Sequence, residues 1–354
     1  MYHGGRDNPY YAHIIPPLAV KTNGAGIGAA PEAERRGFYR KGGVLWVTLK
    51  WKRYAFLVLL FFLFLYFIIT GAMSLYYAGE VIRPSQSPVA PIDRNIAYPY
   101  TSMSFRSRED NVLLNGWYFN AKNTNGILII VHGFGGNRFP FGERTLDFIE
   151  AIIANDFNVL AFDLRNSGGS GSGTSSFGLH EKNDVLGAVD YARSAGYENI
   201  AILGVSTGAN AAAIAGAQAS VEEVGALILD SPIVDMSNFI MNLVREINPK
   251  LPDFPFGIEA PIFTGLYING DIRDANAAKN LDGFMPRHVQ IIYGNNDEIV
   301  SLADITGLYE GYMSRAVGKI SIWNVPGASH GECFYAAGDE YIERVVTFLK
   351  RVFA

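Results

Sequence analysis

The chain is 354 residues long, with 49% hydrophobic and 18% charged side chains and a formal net charge of −5. That is apolar material enough for one large domain with a substantial core, without a basic footprint for a nucleic-acid partner. A single cysteine, Cys333, excludes an intramolecular disulfide framework, and no His/Cys spacing announces a metal site.

Residues 1–34 are rich in Gly, Pro and Ala with weak periodicity, and residues 1–53 together are expected to form a disordered tail. From Ala55 to Tyr77 the chain holds no charge and reads as a helix able to cross a bilayer, with the span set at residues 54–79. A core helix is rarely apolar all round over such a length, and no small-x-small cleavage site follows as it would in a signal peptide. Trp46, Trp51 and Tyr54 flank one end and Tyr76 and Tyr77 the other, as aromatic belts do at membrane interfaces. Arg35, Arg36, Arg40, Lys41, Lys50, Lys52 and Arg53 crowd the N-terminal side, against Arg83 and Arg94 soon after the helix. This bias predicts a cytoplasmic N-terminus and an extracytoplasmic domain. Residues 80–97 hold Pro84, Pro88 and Pro91 among Ser and Gln, a composition that predicts an extended spacer holding the domain slightly off the bilayer.

The domain is expected over residues 98–354. A strand pair opens it, Thr101 to Phe105 and Val112 to Phe119, around a polar turn. Apolar runs then predict strands at 127–131, 158–162, 200–205, 226–230, 289–293 and 319–323, alternating with helices near 141–154, 182–195, 207–218 and 339–352. Such alternation predicts an α/β fold with a mostly parallel sheet and helices on both faces. Between Asp230 and Met285 the rhythm breaks: a helix is predicted over Ile233 to Ile247, followed by Pro249, Pro252, Pro255 and Pro261 among aromatic residues. An insertion at the carboxyl ends of the strands would form a lid, here about 233–285, and its apolar character predicts a hydrophobic acyl or leaving group.

Gly204-Val205-Ser206-Thr207-Gly208 sits between the apolar run Ile200 to Leu203 and the alanine-rich Ala209 to Ala219. That is the strand, sharp turn and helix in which G-x-S-x-G becomes a nucleophile elbow. Ser206 would be the nucleophile, with Gly204 and Gly208 leaving room for strand and helix to meet. Asp297 follows the strand-like Ile291 to Tyr293, and His330 lies in a Gly-containing loop after Ile320 to Trp323. A serine hydroxyl needs an imidazole to take its proton and a carboxylate to orient that imidazole. Glu298 adjoins Asp297, so the acid is assigned to within one position, with Asp297 favoured by its strand-end spacing. His132-Gly133-Phe134-Gly135-Gly136-Asn137 follows Ile127 to Val131; the backbone amides of Phe134 and Thr207 are the expected oxyanion donors. His132 is expected to support this loop rather than to act as ligand or base.

With these motifs the chain resembles a membrane-anchored member of the α/β-hydrolase superfamily, in the serine-aminopeptidase-like branch that includes the α/β-hydrolase-domain-containing proteins. Asp163-Leu164-Arg165-Asn166-Ser167-Gly168-Gly169-Ser170-Gly171, Gly178-Leu179-His180-Glu181 and Leu229-Asp230-Ser231-Pro232 carry the same resemblance, over roughly residues 98–354. The branch often has Pro shortly after the acid, where this chain has Glu298-Ile299-Val300-Ser301. The resemblance implies a serine hydrolase that works without a cofactor on a small-molecule or lipid-like acyl substrate, an ester or thioester. An aminopeptidase-like amide hydrolase, or a binding protein that keeps the fold without turnover, are the alternatives.

Overall fold

A computed structural model describes residues 35–83, 87–92, 95–122 and 124–353; the tail expected over residues 1–34 lies outside them. Two compact units divide at Phe64 and Leu65, and one helix, α1 (Arg35–Val81), passes through both. Residues 35–53, expected as part of an irregular tail, are thus helical. Once a helix is nucleated each added residue costs little, so the apolar segment propagates backwards past its flanking charges. In the first unit the apolar side chains stay open, Phe61 at 60% and Phe64 at 65% exposure.

The second unit is built on one eight-stranded sheet ordered β1-β2-β4-β3-β5-β6-β7-β8. In chain order the strands are β1 (Tyr100–Arg106), β2 (Leu113–Phe119), β3 (Gly126–Val131), β4 (Asn158–Phe162), β5 (Asn199–Val205), β6 (Ala226–Asp230), β7 (His288–Gly294) and β8 (Ile320–Val325). β1 and β2 are antiparallel to each other, β2 is antiparallel to β4, and every other pair is parallel. Central parallel strands are covered on both faces, which is why β3, β4 and β6 are apolar almost throughout and wholly buried.

Helices α2 (Thr145–Ile153) and α10 (Asp339–Phe353) cover one face through Phe148, Ile152, Val345 and Leu349. α3 (Glu181–Ser194) and α4 (Thr207–Gln218) cover the other through Val185, Val189 and a row of small alanines. After β6 the chain forms the cap: α5 (Met236–Ile247), α6 (Phe256–Tyr267) and the short α7 (Ala277–Leu281). α5 starts three residues later than predicted because the Asp235 carboxylate caps it, accepting from the Asn238 amide. α8 (Leu302–Met313) and α9 (Cys333–Ala337) complete the set.

The segment after α1 is extended but is not a free spacer. Val89, Ile92, Ile96 and Tyr98 pack, partly buried, against the core cluster to which α2 contributes, and the Ser87 hydroxyl donates to the Gly135 carbonyl at 2.7 Å. The helix end itself is buried, with Tyr77, Val81 and Ile82 in the core. Four apolar side chains among the prolines outweigh the polar composition, so this segment closes over the domain.

Candidate active site

Parallel register brings the carboxyl ends of β5, β6 and β7 to one edge, pairing Val205 with Asp230 and Asp230 with Ile292. Ser206 follows β5 directly. Its backbone sits at φ 56° and ψ −124°, a left-handed position that an L side chain adopts only when its surroundings impose it. What imposes it is proximity: a Cβ on Gly204 would lie 2.4 Å from the Gly208 carbonyl oxygen, and one on Gly208 would lie 2.3 Å from that of His132. The turn is held from below by the Ser206 amide, which donates to the Asp230 carbonyl at 2.8 Å.

Ser206 Oγ lies 2.8 Å from Nε2 of His330. On the far side of the ring, Nδ1 lies 2.9 Å and 3.1 Å from the two carboxylate oxygens of Asp297. The Asp297 side chain is fully buried and that of His330 is 12% exposed. Asp297 Oδ1 also accepts the amides of Ile299 and Val300 at 2.9 and 2.8 Å, which anchors the carboxylate in its turn. Glu298 is exposed, so of the two neighbouring carboxylates it is Asp297 that meets the ring. The Asp297 and His330 loops are laced together: Gly294, where a Cβ would be 2.0 Å from the Ala328 oxygen, lets them close, and the Asn296 amide donates to that same oxygen at 3.1 Å.

Around the expected oxyanion position, a Cβ on Gly133 would meet Ser206 Cβ at 3.2 Å, so the loop bearing Phe134 abuts the elbow. Thr207 is the first residue of α4, and its amide therefore has no intrahelical acceptor. A small cavity lies between Phe134, Thr207 and the Leu164–Ser167 loop. His132 is buried beneath: its Nε2 accepts the Leu164 amide at 3.0 Å and its Nδ1 lies 2.8 Å from the Gly133 oxygen. An accepting Nε2 requires the neutral ring protonated at Nδ1. Burial accordingly pushes the His132 pKa below its ordinary value of 6.5.

Several supporting groups escaped sequence reasoning. The buried Asp230 carboxylate accepts the hydroxyls of Ser231 at 3.0 Å and Tyr341 at 2.9 Å, and burial raises its pKa. Ser231 Oγ in turn accepts the amide of Gly331 at 3.1 Å, bracing the residue next to His330. Buried Asp163 accepts from the backbone and guanidinium of Arg138 and from the Gly169 amide, tying the Gly133–Asn137 loop to the one after β4. The motif Asp163-Leu164-Arg165 and the pair Asp230-Ser231 were visible, but nothing local told which partners they would find. Cys333 is buried, and burial pushes its thiol pKa far up, leaving it unreactive.

The cap is fastened to the same elbow. Asn210, one turn into α4, donates to the carbonyls of Ile233 and Ala275 and accepts the Ile233 amide at 2.8 Å. Rings lead from the site into the cap, Phe134 to Phe177 with centroids 5.0 Å apart and Phe177 to Phe239 of α5 at 5.8 Å.

A family model described as the alpha/beta hydrolase fold matches residues 126–264. The chain is 26% identical over 239 residues to an uncharacterized protein of Bacillus subtilis, YqkD, covering 67% of this chain and 75% of that one. Among solved structures it is similar to an esterase from Pyrococcus furiosus, at 22% identity and a TM-score of 0.63 over 77% of this chain and 99% of the other. It is also similar to an alpha/beta hydrolase from Penicillium sp. sh18, at 17% identity and a TM-score of 0.55 over 72% and 99% of the two chains.

Proposed function

From the premise that the chain is an α/β-hydrolase superfamily member by its fold, we propose that it is a membrane-anchored serine hydrolase cleaving an ester or thioester. The observation that carries this reading is the 2.8 Å contact between Ser206 Oγ and His330 Nε2, with Asp297 at the other ring nitrogen. A serine so paired is an activated nucleophile.

In the proposed reaction Ser206 Oγ attacks the acyl carbonyl while His330 takes its proton. Asp297 keeps the proton on Nδ1, so that Nε2 is the accepting nitrogen, and stabilises the imidazolium that forms. The oxyanion is held by the amides of Phe134 and Thr207, a pair of donors of which each is worth about 3 kcal/mol. The leaving alkoxide or thiolate departs with the proton from His330, leaving the acyl group on Ser206. Water then attacks with His330 as base, the acyl–Ser206 bond breaks, and the carboxylic acid is released.

Anchoring is supported by the Lys50–Val81 stretch, which is long and apolar enough to cross a membrane. Its exposed side chains oppose its being a core helix, and the burial of its end in the domain opposes its being a removable leader. Flanking basic residues favour a cytoplasmic N-terminus. A fluorophosphonate probe tests the central reading: it labels the wild type and leaves Ser206→Ala unlabelled, and a folded wild-type protein that takes no label refutes it. A panel of p-nitrophenyl esters, acyl thioesters and aminoacyl amides then ranks the scissile bond.

A further inference from the structure

The cap bears an apolar face that its own packing does not use. Phe254, Ile258, Ile262 and Leu266 recur every fourth residue from just before α6 to its last turn, so they share one side. Their exposures run from 58% to 68%. The opposite side of α6 is already buried through Phe256, Ala260 and Thr264, so the row is not an unfilled core position. A large contiguous apolar patch open to water marks a surface that meets something.

What adjoins the row identifies its occupant. α6 runs alongside the end of α1: the Phe254 ring meets Phe67 edge-on with centroids 6.2 Å apart, and Tyr267 lies against Gly79, where a Cβ would be 3.2 Å from its hydroxyl. Between them, the Glu259 carboxylate accepts the Thr70 and Ser74 hydroxyls at 3.0 and 2.9 Å. At ~1.5 Å per residue from Arg53, a ~30 Å hydrocarbon layer ends about twenty residues on, near Met73. The row therefore follows α1 through the zone where acyl chains give way to headgroups. Glu259 is the one charged residue of α6, and both its oxygens are engaged by α1. Nearby, Arg245 is paired with Asp253, and Lys250 stands on a stem long enough to reach headgroups.

We propose that this face of α6 is a membrane-binding surface, seated in the leaflet boundary that α1 crosses, through which the cap receives an acyl-bearing lipid from the bilayer. The inference rests on α1 being the anchor and extends that reading to the class of substrate. α6 packs on α5, whose Phe239 begins the line of rings toward Phe134, so the lipid-facing helix and the site are joined by apolar side chains. Such a surface binds in proportion to the apolar area it immerses.

The test uses the full chain in phosphatidylcholine vesicles doped with phosphatidylglycerol. Ile262→Cys, Leu63→Cys in the apolar stretch of α1, and Val317→Cys in the exposed turn between α8 and β8 are each labelled with an NBD fluorophore and challenged with lipids bearing doxyl groups on their acyl chains. Quenching at positions 262 and 63, with none at 317, is the expected result. Quenching at 63 without 262 overturns the membrane-facing cap and leaves the anchor standing; no quenching at 63 overturns both. Cross-linking of two copies through position 262, with no quenching there, makes the face a self-contact and also refutes the proposal. In activity, Ile258→Lys combined with Ile262→Lys lowers hydrolysis of a vesicle-held ester about tenfold or more while a short water-soluble ester stays within about twofold. Equal losses on both esters overturn the delivery role.

Discussion

At the elbow, geometry is imposed by backbone with no room to move; in the cap, it is imposed by side chains reaching across to other helices. Ser206 is held at its left-handed φ because Gly204 and Gly208 pack main chain against main chain at distances no Cβ could occupy. α6 is held by Glu259 against α1, while Asn210 secures the cap's flanks. The first arrangement has one solution, whereas the second can loosen without unfolding the sheet. Catalytic groups need the former, since a misplaced donor or base loses its effect within an ångström. A segment proposed to admit substrate needs the latter.

The sharpest way to break this contrast is to remove a charge from the rigid half. Asp297→Asn keeps the shape but favours the wrong imidazole tautomer, so kcat should fall by about 10⁴-fold while Glu298→Gln stays near wild type; steady-state ester hydrolysis reads both. Comparable losses from the two would mean the acid is shared. Next, Gly208→Ala forces a methyl against the His132 carbonyl, and a cost of about 3 kcal/mol is expected in the denaturation midpoint. A neutral result would show the elbow to be as pliable as the cap.

In the softer half, Glu259→Ala leaves Ser74 without its acceptor, while Thr70 falls back on the Tyr66 carbonyl at 3.1 Å, at a cost of about 1–2 kcal/mol. Protease cutting between Pro249 and Tyr267 should rise while Ser206 labelling by fluorophosphonate persists. The smallest effect is one of pH. His132 has its pKa depressed by burial, so below its unfolded value of 6.5 the unfolded chain binds more protons than the folded one. Stability from this group is complete above that pH and is lost as pH falls through the folded value. Thermal melts should lose stability as pH falls below about 6.5, less so in His132→Gln.

Much of this was readable before any coordinates, and the reasons are physical. Strands buried on both faces leave an uninterrupted apolar run, so Ile127–Val131 and Ala226–Leu229 could be nothing else. Ser206, Asp297 and His330 each sit at the end of such a run, where chain order and turn chemistry mark them. α6 was hidden by Pro261 within it and by two glycines, residues that local propensity reads as breakers. α8 carries Gly307 and Gly311 in its body, although its Ser301–Asp304 capping box is a local signal that could have announced it. Composition reads the proline-bearing segment after α1 as an extended spacer, whereas its spaced apolar residues decide that it packs on the domain. Tyr341 and Gly331 around Asp230 and Ser231 come from distant parts of the chain, and no local pattern encodes such a meeting.

Ser87 grips the Gly135 carbonyl, the Asn137 amide group donates to Pro88, and Tyr77, Val81 and Ile82 fill the core above. Scission between Pro88 and Tyr98 would strip away part of the hydrophobic interior and the strap over the loop bearing Phe134. Under the proposed anchoring, proteolytic shedding would therefore damage the domain, because the anchoring helix and the strap belong to one continuous piece of chain.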